Sequence, residues 1–272
     1  MRYIDINIIC NNVAADAITA LENKHQETVA GDDQMKQNLI GNGNTTWRQV
    51  KACLEGASSR KCWYTESKNP GCLNDVDHFR PKARKLKKNG QMDYWYWFLA
   101  FDPENYRLSC QFSNRLNINP ETGLTGGKGD QFPLMDGHAH ATTKEGLTFE
   151  NPVLLDPCNQ DDCDLLEFQF DGRPVVSSTH RDNPDTCYRV AKSKLLLNLD
   201  FPTFNEDREA LYNKIKKLVE RGDSYGLGKP AMKYVKQDLQ ELMKEDSPYS
   251  KAAECYIRCF RDRVWIEGLL FS

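Results

Sequence analysis

A mainly helical α+β fold with a small ββα core is predicted by three observations. The C-terminal third repeats apolar residues at helical spacing over 189–198, 204–221, 229–244 and 251–269. The middle of the chain instead shows short apolar runs cut by Gly, Pro, Asn and Asp, the pattern of brief strands and turns. The N-terminal stretches 11–29 and 45–54 return to helical periodicity. The implied organisation is a helical region over 1–59, a ββα core over 60–135, and a mixed, then helical region over 136–272 packed on that core as one unit.

Taken in order, 11–29 reads as a helix with Asp16 in its first turn, and Gly31 to Gly43 as a polar loop. A second helix runs from Thr45 to Leu54 and is broken by Gly56-Ala57-Ser58-Ser59. Lys61 to Tyr64 reads as a short strand or knuckle. The aromatic run 94–101 is a helix turning its rings into the core rather than a base-stacking platform, and Pro103 ends it. A strand and turn occupy 106–113, with Asn114 opening the next helical segment. Residues 152–157 and 166–172 read as strands and a turn.

Composition narrows the function. The chain has 272 residues, 36 Lys and Arg against 39 Asp and Glu, and a pI near 6.0, so no global basic field advertises nucleic acid. Basic charge is local: Arg80, Lys82, Arg84, Lys85, Lys87 and Lys88 cluster directly after Asp77-His78. That position favours a phosphate-steering role over a plain solvated loop. No apolar run is long enough for a signal peptide or a membrane span, so a soluble, cytoplasmic protein is expected. The ten cysteines are then reduced thiols, mostly small buried hydrophobes.

The chemistry-bearing residues are Asp77-His78, then Asn105, then Asn114 nine positions later. This is the residue order of an HNH nuclease motif, the ββα-metal unit in which two strands and a helix surround one divalent ion. A neutral imidazole deprotonates water beside that ion. On this reading His78 faces solvent at the metal as the base, and Asp77 is a ligand or, alternatively, orients one. Asn105 ties the strands through side-chain to backbone bonds, and Asn114 is a second ligand or orients the phosphate. Arg80, Lys82 and Arg115 neutralise phosphate charge, with Arg84 and Lys85 beside them on the nucleic-acid-binding face. Mg²⁺ or Mn²⁺ suits such an oxygen-rich site. His138-x-His140, lacking further ligands, is read as incidental.

Several motifs follow in order: Lys61-Cys62-x-Tyr64-x-Glu66, Asp77 to Lys82, Asn105-x4-Cys110-x3-Asn114, Lys128-Gly129-x-x-Phe132-Pro133-Leu134, Leu154 to Cys158, and Leu197 to Asp200. Their succession over roughly 60–210 resembles the HNH endonucleases of the Septu and retron-associated anti-phage systems, the PtuB-like proteins. The resemblance implies a nuclease effector acting on nucleic acid, DNA before RNA, with an ABC/SMC-like ATPase partner and a retron RNA/DNA assembly as a further associate. The alternatives are a catalytically silent binding or scaffold subunit and an RNA-directed nuclease.

One departure stands out. Family members carry paired Cys-x-x-Cys motifs that hold a structural zinc, whereas Thr65 and Ser113 replace the second cysteine of each pair here. Loss of the zinc is the expectation; an altered site would draw on Cys62, Cys72 and Cys110. Glu66 either supports the site, as an ion ligand or an acceptor, or is a plain exposed loop carboxylate. Tyr256, Phe260 and Trp265 near the C-terminus face either the core or a docking partner.

Overall fold

The computed structural model describes residues 1–68, 71, 73–85, 92, 93, 95–225 and 230–270. The N-terminal part is helical, with α1 (Ile6–Asn12), α2 (Ala15–Ala30), α3 (Asp33–Asn42), α4 (Asn44–Trp47) and α5 (Lys51–Ala57). Helix α3 lies where a polar loop was expected. Asp32 supplies the start signal, its carboxylate accepting from the Met35 amide, and Ile40 is the one buried residue the helix needs to dock.

The centre of the chain is a two-stranded antiparallel hairpin, β1 (Asp75–His78) against the strand Tyr106–Ser109. Two short strands, β2 (Arg84–Lys85) and β3 (Met92–Asp93), pair within the excursion between them, so Tyr106–Ser109 is β4. The aromatic run expected as a helix is a turn and a single 3-10 turn at Trp97–Leu99; Phe98, Leu99, Ala100 and Phe101 are buried, and Tyr94 lies outside the described residues. Helix α6 (Gln111–Asn114) follows β4 at once, so Asn114 ends a helix instead of opening one. In register, Asp77 faces Arg107 and His78 faces Tyr106. All four β4 residues are buried because both sheet faces are covered.

Beyond the hairpin come β5 (Asn117–Ile118) with β6 (Thr125–Gly126), α7 (Gln160–Asp164), and the hairpin β7 (Leu166–Phe168) with β8 (Pro174–Val176). Residues 152–157, expected as a strand, make only one bridge, Leu134 to Pro152. The C-terminal helices are α8 (Pro184–Leu196), α9 (Pro202–Tyr225), α10 (Pro230–Met243), α11 (Ser250–Arg258) and α12 (Val264–Leu270). The single helix expected over 251–269 is therefore broken after Arg258. Asn183 caps α8 through the Asp185 and Thr186 amides, and Pro184 takes the first-turn position where its missing N–H costs nothing.

Three apolar clusters organise these elements. Val13, Leu21, Ile40, Trp47, Val50 and Leu54 pack with Tyr106 and Leu108 on one side of the hairpin. Cys62, Tyr64, Phe79 and Phe132 join α8 and the start of α9 in a second cluster. Helices α9 to α12 form the third. Tyr256 (0 %) and Trp265 (7 %) belong to it and Phe260 packs on it, so these rings face the core and a docking surface built on them is removed. Among the described residues no helix is long and apolar enough to cross a membrane.

Candidate functional site

Strand geometry decides how Asp77 and His78 are placed. Successive side chains of β1 leave opposite faces, so the two neighbours diverge. Asp77 enters the cluster with Tyr64 and Phe132. Its Oδ1 accepts from Lys128 Nζ at 2.8 Å, and its Oδ2 accepts from the Tyr64 hydroxyl at 2.7 Å. Lys128 also donates to the His78 carbonyl at 2.6 Å. Asp77, Lys128 and Tyr64 are all buried, and burial beside the Asp77 carboxylate pushes the Tyr64 phenol well up, keeping it a donor.

His78 goes the other way, into the cluster under the N-terminal helices. The sequence places it in solvent, but the structure leaves it 5 % exposed, edge-on to Trp47 at 4.9 Å and Tyr106 at 5.0 Å. The physical reason is coverage: α4 brings Trp47 over the face of β1 from which His78 projects. His78 Nε2 lies 2.9 Å from the Ala100 carbonyl. A carbonyl only accepts, so Nε2 carries the proton and Nδ1 is the acceptor nitrogen. Burial, with the Lys82 charge adding to it, lowers the imidazole pKa well below 6.5.

Asn105 clasps the turn after β1: Oδ1 accepts from the Arg80 amide and Nδ2 donates to the Arg80 carbonyl, both at 2.9 Å. Asn114 Nδ2 donates to Asp75 Oδ2 at 3.1 Å, and Arg115 bridges the same carboxylate at 3.2 Å. Asn114 is thus brought to Asp75, two residues along β1 from Asp77.

The basic residues are dispersed. Arg80 pairs with the buried Glu150 at 2.7 Å and lies over Phe132. Glu150 in turn accepts from Tyr96, whose hydroxyl also meets His140 Nδ1 at 2.7 Å, so the imidazole read as incidental belongs to a polar cluster behind Arg80. Lys82 sits over the Trp47 ring at 4.6 Å; burial, outweighing the attraction of Asp77, lowers its pKa to about 8. Arg84 stacks at 4.0 Å on Trp95. Arg115 is the most exposed of these cations. The Lys85 side chain and all of Lys87 and Lys88 lie outside the described residues.

The knuckle positions converge. The Cys62 and Cys110 thiols hydrogen-bond each other, Cys62 bonds Thr65, and Cys110 Sγ lies 3.5 Å from Ser113 Oγ. All four are buried, and the hydrogen bond to Cys62, with burial beside it, raises the Cys110 pKa well above 9.0. Cys72, the spare thiol, lies outside the described residues. Glu66 is no exposed loop carboxylate: it is 3 % exposed, 3.1 Å from the Met1 ammonium and 3.8 Å from Lys61 Nζ. Burial would raise its pKa, but these two cations prevail and hold it at about 2.

A divalent ion does not fit this donor set. Both Asp77 oxygens are engaged, one by a buried ammonium, and Asn114 is turned to Asp75. Among the described residues no group of three His, Cys, Asp or Glu side chains stands ready to hold a metal. Sequence reasoning missed Lys128, Tyr64 and Trp47 as the groups that enclose Asp77 and His78. The signals present were Tyr64 and Lys128 within the succession of motifs, and the flanking Gly127 and Gly129, which the structure shows at positive φ.

The unit that results is an antiparallel hairpin followed at once by a helix, with polar residues at its strand ends. No family model matches the chain. It is 31 % identical over 126 residues to "Septu protein PtuB" of Bacillus mycoides (strain KBAB4). The matched stretch is 45 % of this chain and 39 % of that protein, so the chain spans about two fifths of its relative's length.

Proposed function

We propose that the chain is an HNH-type phosphodiesterase, the nuclease component of an anti-phage defence assembly, with its hydrolytic site closed in this conformation. The observation that carries the reading is His78 on the first strand of a hairpin–helix unit, with Asn105 clasping the turn that follows it. His78 is held by Ala100 with Nδ1 as the proton acceptor, and its lowered pKa keeps that nitrogen unprotonated at neutral pH. Water and a phosphate reach it only when Trp47 and its helix move aside, a gating step suited to a partner subunit. Among the described residues we assign Arg115, exposed and paired only with the half-buried Asp75, and Lys82, over the Trp47 ring, to meet the substrate, while Arg80 is committed to the buried Glu150 carboxylate. The resemblance supports an ABC/SMC-like ATPase as the partner that opens the site, and DNA as the first polymer to test.

A second reading, a silent scaffold subunit of the same assembly, is favoured by the double engagement of Asp77. One experiment separates them. The purified chain, with and without the ATPase, is incubated with plasmid DNA and with total RNA in Mg²⁺ or Mn²⁺, beside His78→Ala. Cleavage that His78→Ala abolishes supports the nuclease and names its polymer. No cleavage in the presence of the ATPase, with both proteins folded, leaves the scaffold reading.

A further inference from the structure

We infer that Lys128 is a built-in cation at Asp77: its ammonium takes the place on the carboxylate that a divalent ion would need, so the folded chain takes up no Mg²⁺ or Mn²⁺ through Asp77. The placement is not that of a surface lysine falling onto a convenient acid. Lys128 is 1 % exposed and donates to two acceptors at once, Asp77 Oδ1 at 2.8 Å and the His78 carbonyl at 2.6 Å. The second Asp77 oxygen is closed by Tyr64, itself 1 % exposed. A carboxylate offers about four lone-pair positions, but the two oxygens here are reached from inside the core, with no solvent side for an ion that keeps its waters.

The backbone holds the lysine in this position. Gly127 and Gly129 both have positive φ, of 100° and 53°, a conformation that side chains resist. A Cβ on Gly127 would lie 1.9 Å from the Arg115 carbonyl oxygen. The Lys128 amide donates to the Ser113 carbonyl at 2.8 Å, and the Gly129 amide to the Asn114 carbonyl at 2.9 Å. The Gly-Lys-Gly turn is therefore bolted to α6, and the lysine points from it into the hairpin. The ammonium supplies one positive charge of fixed position, sufficient to balance Asp77 and to orient the end of β1 through the His78 carbonyl. A divalent ion on Asp77 would have to expel it into apolar surroundings.

These contacts stand whether or not the chain cuts phosphodiesters; only their bearing on catalysis, that Lys128 is a positioning residue for His78, rests on the hydrolytic reading. The test therefore reads cations and not cleavage. Mn²⁺ is titrated, by loss of the free-ion resonance signal and by thermal unfolding, into the parent chain, Asp77→Asn, Lys128→Met and the Lys128→Met/Asp77→Asn double variant. The parent is expected to bind no Mn²⁺ that Asp77→Asn removes. Lys128→Met is expected to bind Mn²⁺ roughly tenfold or more tighter than the parent, with the gain abolished in the double variant. Mn²⁺ that binds and stabilises the parent but not Asp77→Asn overturns the inference, as does a folded Lys128→Met with no Asp77-dependent gain. Should Lys128→Met not fold alone, its folding with Mn²⁺ present, against none for the double variant, carries the same weight. Failure to fold with or without Mn²⁺, while Lys128→Ala with Mn²⁺ also stays unfolded, counts against it.

Discussion

Replacing Glu66 with Gln removes one negative charge from a buried cluster and sets an amide NH2 where Oε1 faces the Met1 ammonium. The amide keeps the shape and can still accept from Ser250 Oγ, at 2.9 Å, and the Lys251 amide, at 3.2 Å. It cannot balance the Met1 ammonium at 3.1 Å or Lys61 at 3.8 Å. The magnitude follows from proton linkage. Burial works to raise the carboxyl, but the two cations, with the hydrogen bonds from the Lys251 amide and Ser250, bring it from 4.5 to about 2, and at ~1.4 kcal/mol for each pH unit this is about 3 kcal/mol of stability. The sign is that of a depressed carboxylate: the contribution is complete above pH 4.5 and is lost as pH falls through about 2. Urea unfolding of parent and Glu66→Gln at pH 7, 5, 4 and 3 measures it. The difference should be about 3 kcal/mol at pH 7 and shrink steadily below about pH 4.5. A difference that is small at pH 7, or one that stays constant down to pH 3, refutes the electrostatic account of the cluster.

Three further perturbations probe other parts of the fold. Asn105→Ala strands the Arg80 amide and carbonyl and should cost about 2–4 kcal/mol in chemical denaturation, with faster hydrogen exchange at the turn after β1. Gly172→Ala forces a side chain onto a residue with φ of 81° and a Cβ 2.1 Å from the Asn205 carbonyl, so a loss of about 2 kcal/mol or more is expected in the same assay. Thr65→Cys/Ser113→Cys completes four thiols where Cys62, Thr65, Cys110 and Ser113 already meet, and should bind one Zn²⁺ per chain and raise the unfolding temperature, while the parent responds to neither. An unchanged double variant would mean that the four positions do not surround a common point.

Much of this fold is legible in local pattern. The C-terminal helices announce themselves because each buries an apolar stripe, as Met232, Val235 and Leu239 do in α10. Where burial is slight the pattern fails: α3 has Ile40 as its one fully buried residue, and its polar surface reads as loop until the Asp32 cap is seen bonding Met35. The order Asp77, His78, Asn105, Asn114 is equally plain in the sequence, but the surroundings of each residue are not. Alternation along β1 sends Asp77 and His78 apart, and what meets them arrives from distant chain: Trp47 from the N-terminal helices, Lys128 from a turn beyond α6. Glu66 was unreadable for the same reason, since its partners Met1, Lys61 and Ser250 come together only in the fold. Local propensity carries elements; the charge balance of a buried site is a property of the packing around it.

The enclosure of His78 has a consequence for pH. From spacing alone, an imidazole at the surface would lose its function as base near its ordinary value of about 6.5. In the fold, burial and the nearby Lys82 lower that value, so the neutral form persists further into acid. Two effects of opposite appearance follow from the one shift. Cleavage by the resting chain, in which His78 is closed and unprotonated, should persist below pH 6.5, whereas cleavage by the chain held open by its partner should fall near 6.5, because opening lifts the burial that causes the shift. Stability should nonetheless decline below pH 6.5, because the unfolded chain takes up a proton that the folded chain refuses. Unfolding of parent and His78→Gln between pH 7.5 and 5 isolates the second effect, with Gln able to keep a donor toward the Ala100 carbonyl. The parent should lose stability relative to the variant as pH falls. A parent that gains on the variant toward acid would show an imidazole that charges readily in place, which neither Trp47 at 4.9 Å nor the adjacent lysine would permit in the arrangement described.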